Sequence, residues 1–140
     1  MSKSQSNQDR ELSVILSLTR SLPAIRGSGV VVNRLFKPLY CRKPRPTVWA
    51  DVDGFQMHLD PKECVDGALL FMPHLYDRRE LDYLKTHLKS GDTFLDVGAN
   101  IGIYALVASR VVERAGTVIA IEADPENFRK LKLNIDENKL

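Results

Sequence analysis

The sequence predicts an α/β fold, in which parallel strands alternate with helices. Two short apolar runs, residues 94–97 and 118–121, each follow a turn signal, as β-strands do. Residues 101–113 lie between them and form an apolar stretch that opens after a glycine-rich bend, which indicates a helix. A strand–helix–strand order within one sheet gives parallel strands joined by a right-handed crossover. We therefore expect the two runs to be adjacent parallel strands with residues 101–113 as the crossover helix.

The bend after the first strand carries the most specific chemical signal. Asp96 near the end of the strand and Gly98 and Gly102 after it have the spacing Asp-x-Gly-x-x-x-Gly, not the Gly-x-Gly-x-x-Gly of dinucleotide folds. A glycine-rich bend between a buried strand and a helix is where an α/β sheet binds a nucleotide-like ligand. A carboxylate beside that ligand attracts a cation and repels a pyrophosphate. S-adenosylmethionine is a sulfonium with an ammonium group and no phosphate, so the pattern indicates methyl transfer.

A second acid ends the next strand. Glu122 lies 24 residues after Gly98, and in nucleotide-binding α/β units an acid about 20 residues beyond the glycine turn accepts hydrogen bonds from the ribose hydroxyls. Asp124-Pro125 then predicts the start of a helix, with Phe128, Leu131 and Ile135 on one apolar face. The alternative is that Asp96 and Glu122 merely end strands and cap turns.

The residues upstream are expected to lead into this unit. Strand-like runs at residues 48–50 and 55–59 flank Asp53-Gly54, a strong hairpin signal. Asp77, with Glu80 three residues later, approximates a capping box at the start of a helix. One face of that helix carries Leu81, Leu84 and Leu88.

Residues 91–140 closely resemble the FkbM family of S-adenosylmethionine-dependent methyltransferases. The stretches that carry the resemblance are GDTFLDVGANIG, IYALVASRVVERAG, TVIAIEADPEN and FRKLKLNIDENKL. The resemblance implies the N-terminal part of a Rossmann-like class I methyltransferase fold that O-methylates a hydroxyl of a natural product, sugar or glycan. It makes Glu122 the ribose acid, and it implies a first cofactor loop that consists of Asp96, Gly98, Ala99, Asn100 and Gly102.

The resemblance also implies an incomplete copy. Family members continue for roughly another hundred residues, in keeping with typical domain sizes, whereas this chain ends at Leu140. No catalytic residue is identified, and we expect no methyl transfer from these 140 residues alone. A partner chain that completes the sheet is one expectation. The alternatives to an enzyme are a non-catalytic cofactor-binding remnant and a protein-interaction remnant.

Composition sets the remaining expectations. A chain of 140 residues that is 44% hydrophobic is typical of one soluble domain or part of one. Cys41 and Cys64 form no Cys-x-x-Cys pair and no signal peptide is evident, which favours the cytoplasm. The histidines His58, His74 and His87 have no metal-binding spacing, so we expect no metal site. The apolar runs are too short to span a membrane.

Three regions are expected along the chain. Residues 1–45 form a polar tail and a basic amphipathic helical arm, residues 46–90 a lead-in hairpin and helix, and residues 91–140 the cofactor-binding half of a truncated methyltransferase domain. The arm has a helical pattern at residues 11–22 and a second apolar segment, helical or irregular, at residues 30–40. It contains seven basic residues and no acid from position 20 to position 45. This charge suits an acidic partner, an anionic glycan or weak contact with a membrane surface; the alternative is a solvated linker. We expect no nucleic-acid partner.

Overall fold

Helices and short strands alternate along the chain in the computed structural model, which describes residues 13–23, 27–42 and 47–140. The polar tail and the basic residues Arg26, Lys43 and Arg45 of the arm lie outside the described residues. The chain divides into two compact units. Of the described residues, the first unit contains those up to residue 53 and residues 59–76, and the second contains residues 54–58 and 77–140. The predicted three-region division stays a prediction.

The first unit is mostly helical. The arm forms α1 over the described residues 13–20 and then an unbroken helical stretch over residues 28–41. Part of the basic arm packs inward, because Arg20 Nε donates to the Leu70 carbonyl (3.1 Å) and Lys37 Nζ donates to the Glu63 carbonyl (3.1 Å). The elements of this unit after α1 are α2 (Ser28–Val31), a π-helical turn (Val32–Phe36), α3 (Lys37–Cys41), β1 (Val48–Val52) and α4 (Cys64–Phe71).

Helix α4 is not indicated by the sequence pattern. Its eight residues are mainly apolar and include Gly67, so they show no amphipathic helical periodicity. The helix is stabilised by packing, since the buried ring of Phe71 meets the buried ring of Tyr40 edge-on, with the centroids 5.3 Å apart. A short buried helix of this kind forms because of tertiary contacts, and these cannot be read from the periodicity of the sequence.

The predicted hairpin is confirmed. β1 and β2 (Phe55–Leu59) form a two-stranded sheet. The connecting residues Asp53 and Gly54 both have positive φ, at 54° and 80°. Positive φ at both central positions is the requirement of the type I′ turn, which Asp-Gly satisfies at low steric cost.

The second unit contains the predicted parallel strands. β3 (Thr93–Val97) and β4 (Thr117–Ile121) pair in parallel, with Thr93 opposite Thr117 and Val97 opposite Ile121. The crossover helix is confirmed but is shorter than expected. It begins only after Asn100 and Gly102 take positive φ, and ends where Glu113 does so. The helices of this unit are α5 (Arg78–His87), α6 (Ile103–Val112) and α7 (Pro125–Glu137).

The two predicted helix starts have different outcomes. Asp124 caps α7 as expected, because its side chain accepts from the backbone N–H groups of Glu126 and Asn127. The prediction of a capping box at Asp77 is wrong. Asp77 precedes α5 with a left-handed backbone (φ 39°) and makes no cap hydrogen bond, whereas a capping residue needs extended backbone to aim its side chain at the helix. Its carboxylate instead accepts from the Tyr104 hydroxyl (3.1 Å).

The helix faces are partly as predicted. Leu81 and Leu84 of α5 are buried, while Leu88 follows the helix and is half-buried. On α7, Leu131 is buried but Phe128 is 50% exposed. Phe128 lines a cavity of about 810 Å³ between α6, β4 and α7.

One face of the parallel strand pair is uncovered in the described part of the chain. Leu95 and Val97 of β3 and Ile119 and Ile121 of β4 are each about half exposed or more, between 47% and 72%. The parallel sheets of α/β proteins are normally covered on both faces.

Among the described residues, no helix has the length and apolar character of a membrane span.

We predict that Gly102→Ala destabilises the protein more than Gly91→Ala. Both glycines have positive φ (96° and 89°), so both substitutions carry the left-handed backbone penalty of about 1–2 kcal/mol. At Gly102 a Cβ would also lie 2.5 Å from Leu131 Cδ1, whereas at Gly91 it would meet no described heavy atom within 4 Å. Overpacking should add about 1 kcal/mol or more at Gly102. Equal losses in denaturant unfolding would contradict this packing difference.

Candidate functional site

The parallel pairing brings the ends of β3 and β4 together. The backbone N–H groups of Gly98 and Ala99, which follow β3, both donate to the carbonyl of Ile121 at the end of β4, at 2.8 and 3.0 Å. The bend after β3 therefore lies directly against the end of the neighbouring strand. We call residues 98–102 the glycine loop.

Glu122 joins the loops that follow the two strands. Its Oε2 accepts from the Asn100 N–H (2.7 Å), and its Oε1 accepts from the Asp124 N–H (2.8 Å). Glu122 thus caps the turns, as the alternative interpretation expects. These two hydrogen bonds do not use all of its lone pairs. Each carboxylate oxygen can accept more than one hydrogen bond, so Glu122 is held in place with acceptor capacity remaining.

The two glycines of the loop have different surroundings. A Cβ at Gly98 (φ 83°) would meet no heavy atom of the described residues within 4 Å, so this position faces open space. At Gly102 (φ 96°) a Cβ would force the buried Leu131 side chain to shift. Gly98 leaves space for a ligand to approach the backbone, whereas Gly102 is favoured by its positive φ and by its contact with Leu131. Ala99 is buried, and Asn100 has positive φ (50°), so both shape the loop.

The two carboxylate oxygens of Asp96 have different surroundings. The side chain faces the first turn of α6, where the Ala105 N–H hydrogen-bonds it. Its Oδ2 is buried and has no hydrogen-bond partner among the described residues. Burial raises the pKa of Asp96; the Ala105 hydrogen bond opposes that rise and the charge of Glu122 adds to it. A buried carboxylate oxygen left over by the protein suits a ligand that brings a donor or a positive charge.

The structure therefore brings the predicted site residues together at the carboxyl end of the strand pair. Asp96, the glycine loop and Glu122 are neighbours through the contacts just described. The contribution of α7 was not predicted: Leu131 packs against Gly102, and Asn134 Nδ2 donates to the Ile101 carbonyl (2.8 Å). The sequence pattern does not single Asn134 out, because Lys130 on the same buried face of the helix is also polar.

The part of the chain that contains the candidate site is similar to known methyltransferases. Residues 59–140 match the family model described as protein-L-isoaspartate(D-aspartate) O-methyltransferase. That range includes β3, the glycine loop, β4 and α7, and so includes every residue of the candidate site.

Individual relatives agree on methyl transfer. A protein-L-isoaspartate O-methyltransferase of Caenorhabditis elegans is 35% identical over 75 residues, which are 54% of this chain and 33% of that protein. A ribosomal protein L11 methyltransferase of Cupriavidus pinatubonensis is 33% identical over 95 residues (66% of this chain, 30% of that protein). Another of that name from Thermotoga neapolitana is 36% identical over 58 residues (41% and 21%). The chain thus spans a third or less of the length of these relatives.

We predict that Asp96→Asn changes how stability depends on pH. A carboxyl group whose pKa is raised by folding binds its proton more tightly in the folded than in the unfolded state. Stability then falls as the pH rises from the ordinary pKa of 3.8 through the raised pKa. Asparagine has no such titration and still offers an oxygen to Ala105. The stability of Asp96→Asn relative to the unsubstituted protein should therefore increase between pH 4 and pH 7.

Thermal melting across that pH range measures the effect. Asp136→Asn is the control for loss of a carboxylate, since Asp136 is exposed on α7 and pairs with Lys132. A difference between Asp96→Asn and the unsubstituted protein that is the same at every pH would show that Asp96 titrates alike in the folded and unfolded states, and the prediction would be wrong.

Proposed function

The chain belongs to the protein-L-isoaspartate(D-aspartate) O-methyltransferase family, and from that premise we propose that it binds S-adenosylmethionine at the glycine loop for methyl transfer to an oxygen atom. S-adenosylmethionine is the cofactor of these methyltransferases; it supplies a methyl group on a positively charged sulfur. The observation that carries the proposal is the position of Glu122, fixed between two loops beside the open space at Gly98.

Each site residue has a proposed role in binding. Glu122 accepts hydrogen bonds from the ribose hydroxyls, using the lone pairs that its two backbone donors leave. Gly98 allows the ligand to approach the backbone, because no side chain occupies that space. Asp96 binds the amino end of the methionine part directly or through water, with the buried oxygen that has no hydrogen-bond partner in the described part of the chain. Ala99, Asn100 and Gly102 give the loop its shape.

The protein's main task in such a reaction is alignment. Displacement at a sulfonium produces a neutral leaving group, so the enzyme gains most by holding donor and acceptor in line. The residues brought together at this site hold the donor side. We accordingly assign binding roles to them and leave the catalytic residue unassigned.

We propose a hydroxyl of a natural product, sugar or glycan as the acceptor. The support is the FkbM resemblance of DVGANIG and AIEADPEN, which lie in the glycine loop and around Glu122. The second candidate is a protein carboxylate, and the support for it is the matched family, whose name specifies O-methylation of isoaspartate. Both candidates present an oxygen to the methyl group.

The chemistry of the product separates the two acceptors. The protein is incubated with S-adenosylmethionine labelled with tritium in the methyl group and with extracts divided into protein, glycan and small-molecule fractions. A methyl ether on a hydroxyl survives mild base, whereas a methyl ester on a carboxylate releases volatile labelled methanol. Base-stable label in the glycan or small-molecule fraction supports the hydroxyl, and base-labile label in the protein fraction supports the carboxylate. Cofactor binding without transfer to any fraction would support the non-catalytic alternative.

Two further proposals concern partners, and a third concerns location. The exposed apolar face of β3 and β4 supports the proposal that further polypeptide, such as a partner chain, covers the sheet. Within the described arm, Arg34 and Arg42 are exposed or partly exposed and support contact with an anionic surface. Cys41 and Cys64 are both free thiols, which supports a reducing, cytoplasmic location.

We predict that Glu122→Ala weakens S-adenosylmethionine binding by about 1–3 kcal/mol, because the ribose hydroxyls lose a charged acceptor. Gly98→Val should weaken binding further, since a branched side chain would fill the ligand's space and resist the positive φ. Calorimetry measures both affinities. Glu137→Ala, which removes a carboxylate at the far end of α7, serves as the control. An unchanged affinity in a folded Glu122→Ala variant would show that the ribose assignment is wrong.

A further inference from the structure

The Asn134 side chain connects three parts of the second unit. It projects from α7 and is fully buried. Its Oδ1 accepts from the His58 N–H of β2 (2.7 Å), and its Nδ2 donates to the Ile101 carbonyl of the glycine loop (2.8 Å). The chemistry fixes the orientation of the amide, because an N–H can only be met by the oxygen and a carbonyl only by the NH₂ group.

The Ile101 carbonyl is a sensitive point of the loop. Ile101 is buried and lies between Asn100 and Gly102, which both have positive φ. It precedes the first residue of α6, so its carbonyl is outside the hydrogen-bond ladder of that helix. A buried carbonyl in this position needs a partner from elsewhere in the fold, and Asn134 supplies it.

Asn134 complements the contacts on the opposite side of the loop. The Gly98, Ala99 and Asn100 N–H groups bind to Ile121 and Glu122 at the end of β4. On the α7 side, Leu131 fills the space beside Gly102, one helical turn before Asn134. The loop is therefore held between the end of β4 and one face of α7.

We propose that Asn134 is a positioning residue, whose amide sets the conformation of the glycine loop for S-adenosylmethionine and connects the loop to β2. This inference rests on the proposed function. Asn134 itself need not touch the ligand, because it acts through the Ile101 carbonyl. Loss of its NH₂ group should loosen the loop and weaken cofactor binding.

The chain offers a matched control on the same helix. Asn138 lies one turn after Asn134 and also binds β2, with its Oδ1 accepting from the Gln56 N–H (3.0 Å) and its Nδ2 donating to the Gln56 carbonyl (2.8 Å). Its other hydrogen bond is to the Asn134 backbone carbonyl. Asn138→Asp therefore introduces the same chemical change as Asn134→Asp next to the same strand but away from the glycine loop.

The experiment compares these two variants in the whole protein. Asn134→Asp retains an oxygen for His58 but sets a carboxylate oxygen against the Ile101 carbonyl. We expect S-adenosylmethionine affinity to fall about tenfold or more, with faster amide hydrogen exchange in a peptide covering residues 98–103. Asn138→Asp should change the affinity by less than about threefold and leave exchange in that peptide unaltered. Asn134→Ser, which is smaller and uncharged, serves if Asn134→Asp does not fold.

The two readouts separate this inference from the proposed function. If the unsubstituted protein does not bind S-adenosylmethionine, the proposed function fails, while hydrogen exchange still tests whether Asn134 positions the loop. Unaltered exchange in the loop of a folded Asn134 variant would overturn the inference. Equal loss of affinity in the Asn134 and Asn138 variants would also overturn it, since that result would reveal a merely structural role for α7.

Discussion

The site depends on the parallel, in-register pairing of β3 with β4. Since Val97 lies opposite Ile121, the residues that follow the two strands emerge side by side. The first backbone N–H groups of the glycine loop can then bind the Ile121 carbonyl, and Glu122 can bind the loop in turn. A shift of the pairing by a single residue would turn the side chains of one strand to the opposite face. It would also separate the two loops.

The charges at the site fit the proposed cationic ligand better than they fit the stability of the protein alone. Glu122 is satisfied by two backbone donors, whereas Asp96 keeps a buried oxygen without a described partner and a pKa raised chiefly by burial. A fold that needed only a helix cap at this position would use a less costly group. The cost is understandable if a cationic ligand compensates for it.

The local elements could be predicted from the sequence because their signals are local. Asp53-Gly54 specifies its turn, Asp124-Pro125 specifies a helix start, and the apolar runs around the glycine bend specify the strands. What could not be predicted depends on contacts between distant segments. The short helix α4 is stabilised by packing such as that of Phe71 on Tyr40. Asp77 turns toward Tyr104 instead of capping α5.

The candidate site follows the same division. Asp96, Gly98 and Glu122 could be identified from strand ends and spacing, since these positions meet at one edge of a parallel sheet in any sequence of this order. The supporting role of α7 could not be assigned, because it requires Asn134 to reach Ile101, 33 residues earlier in the chain. The sequence shows a polar residue three positions after Leu131, and the structure shows which carbonyl it binds.

The most direct test of the cofactor site is a crystal structure with S-adenosylhomocysteine, the product form of the cofactor. We expect the ribose hydroxyls within hydrogen-bond distance of the Glu122 carboxylate and the ligand in van der Waals contact with Gly98. Asn100 and Asp124 should keep their hydrogen bonds to Glu122. A ligand bound elsewhere, or a Glu122 side chain turned away from the ribose, would contradict the central claim that this acid and the glycine loop form the cofactor site.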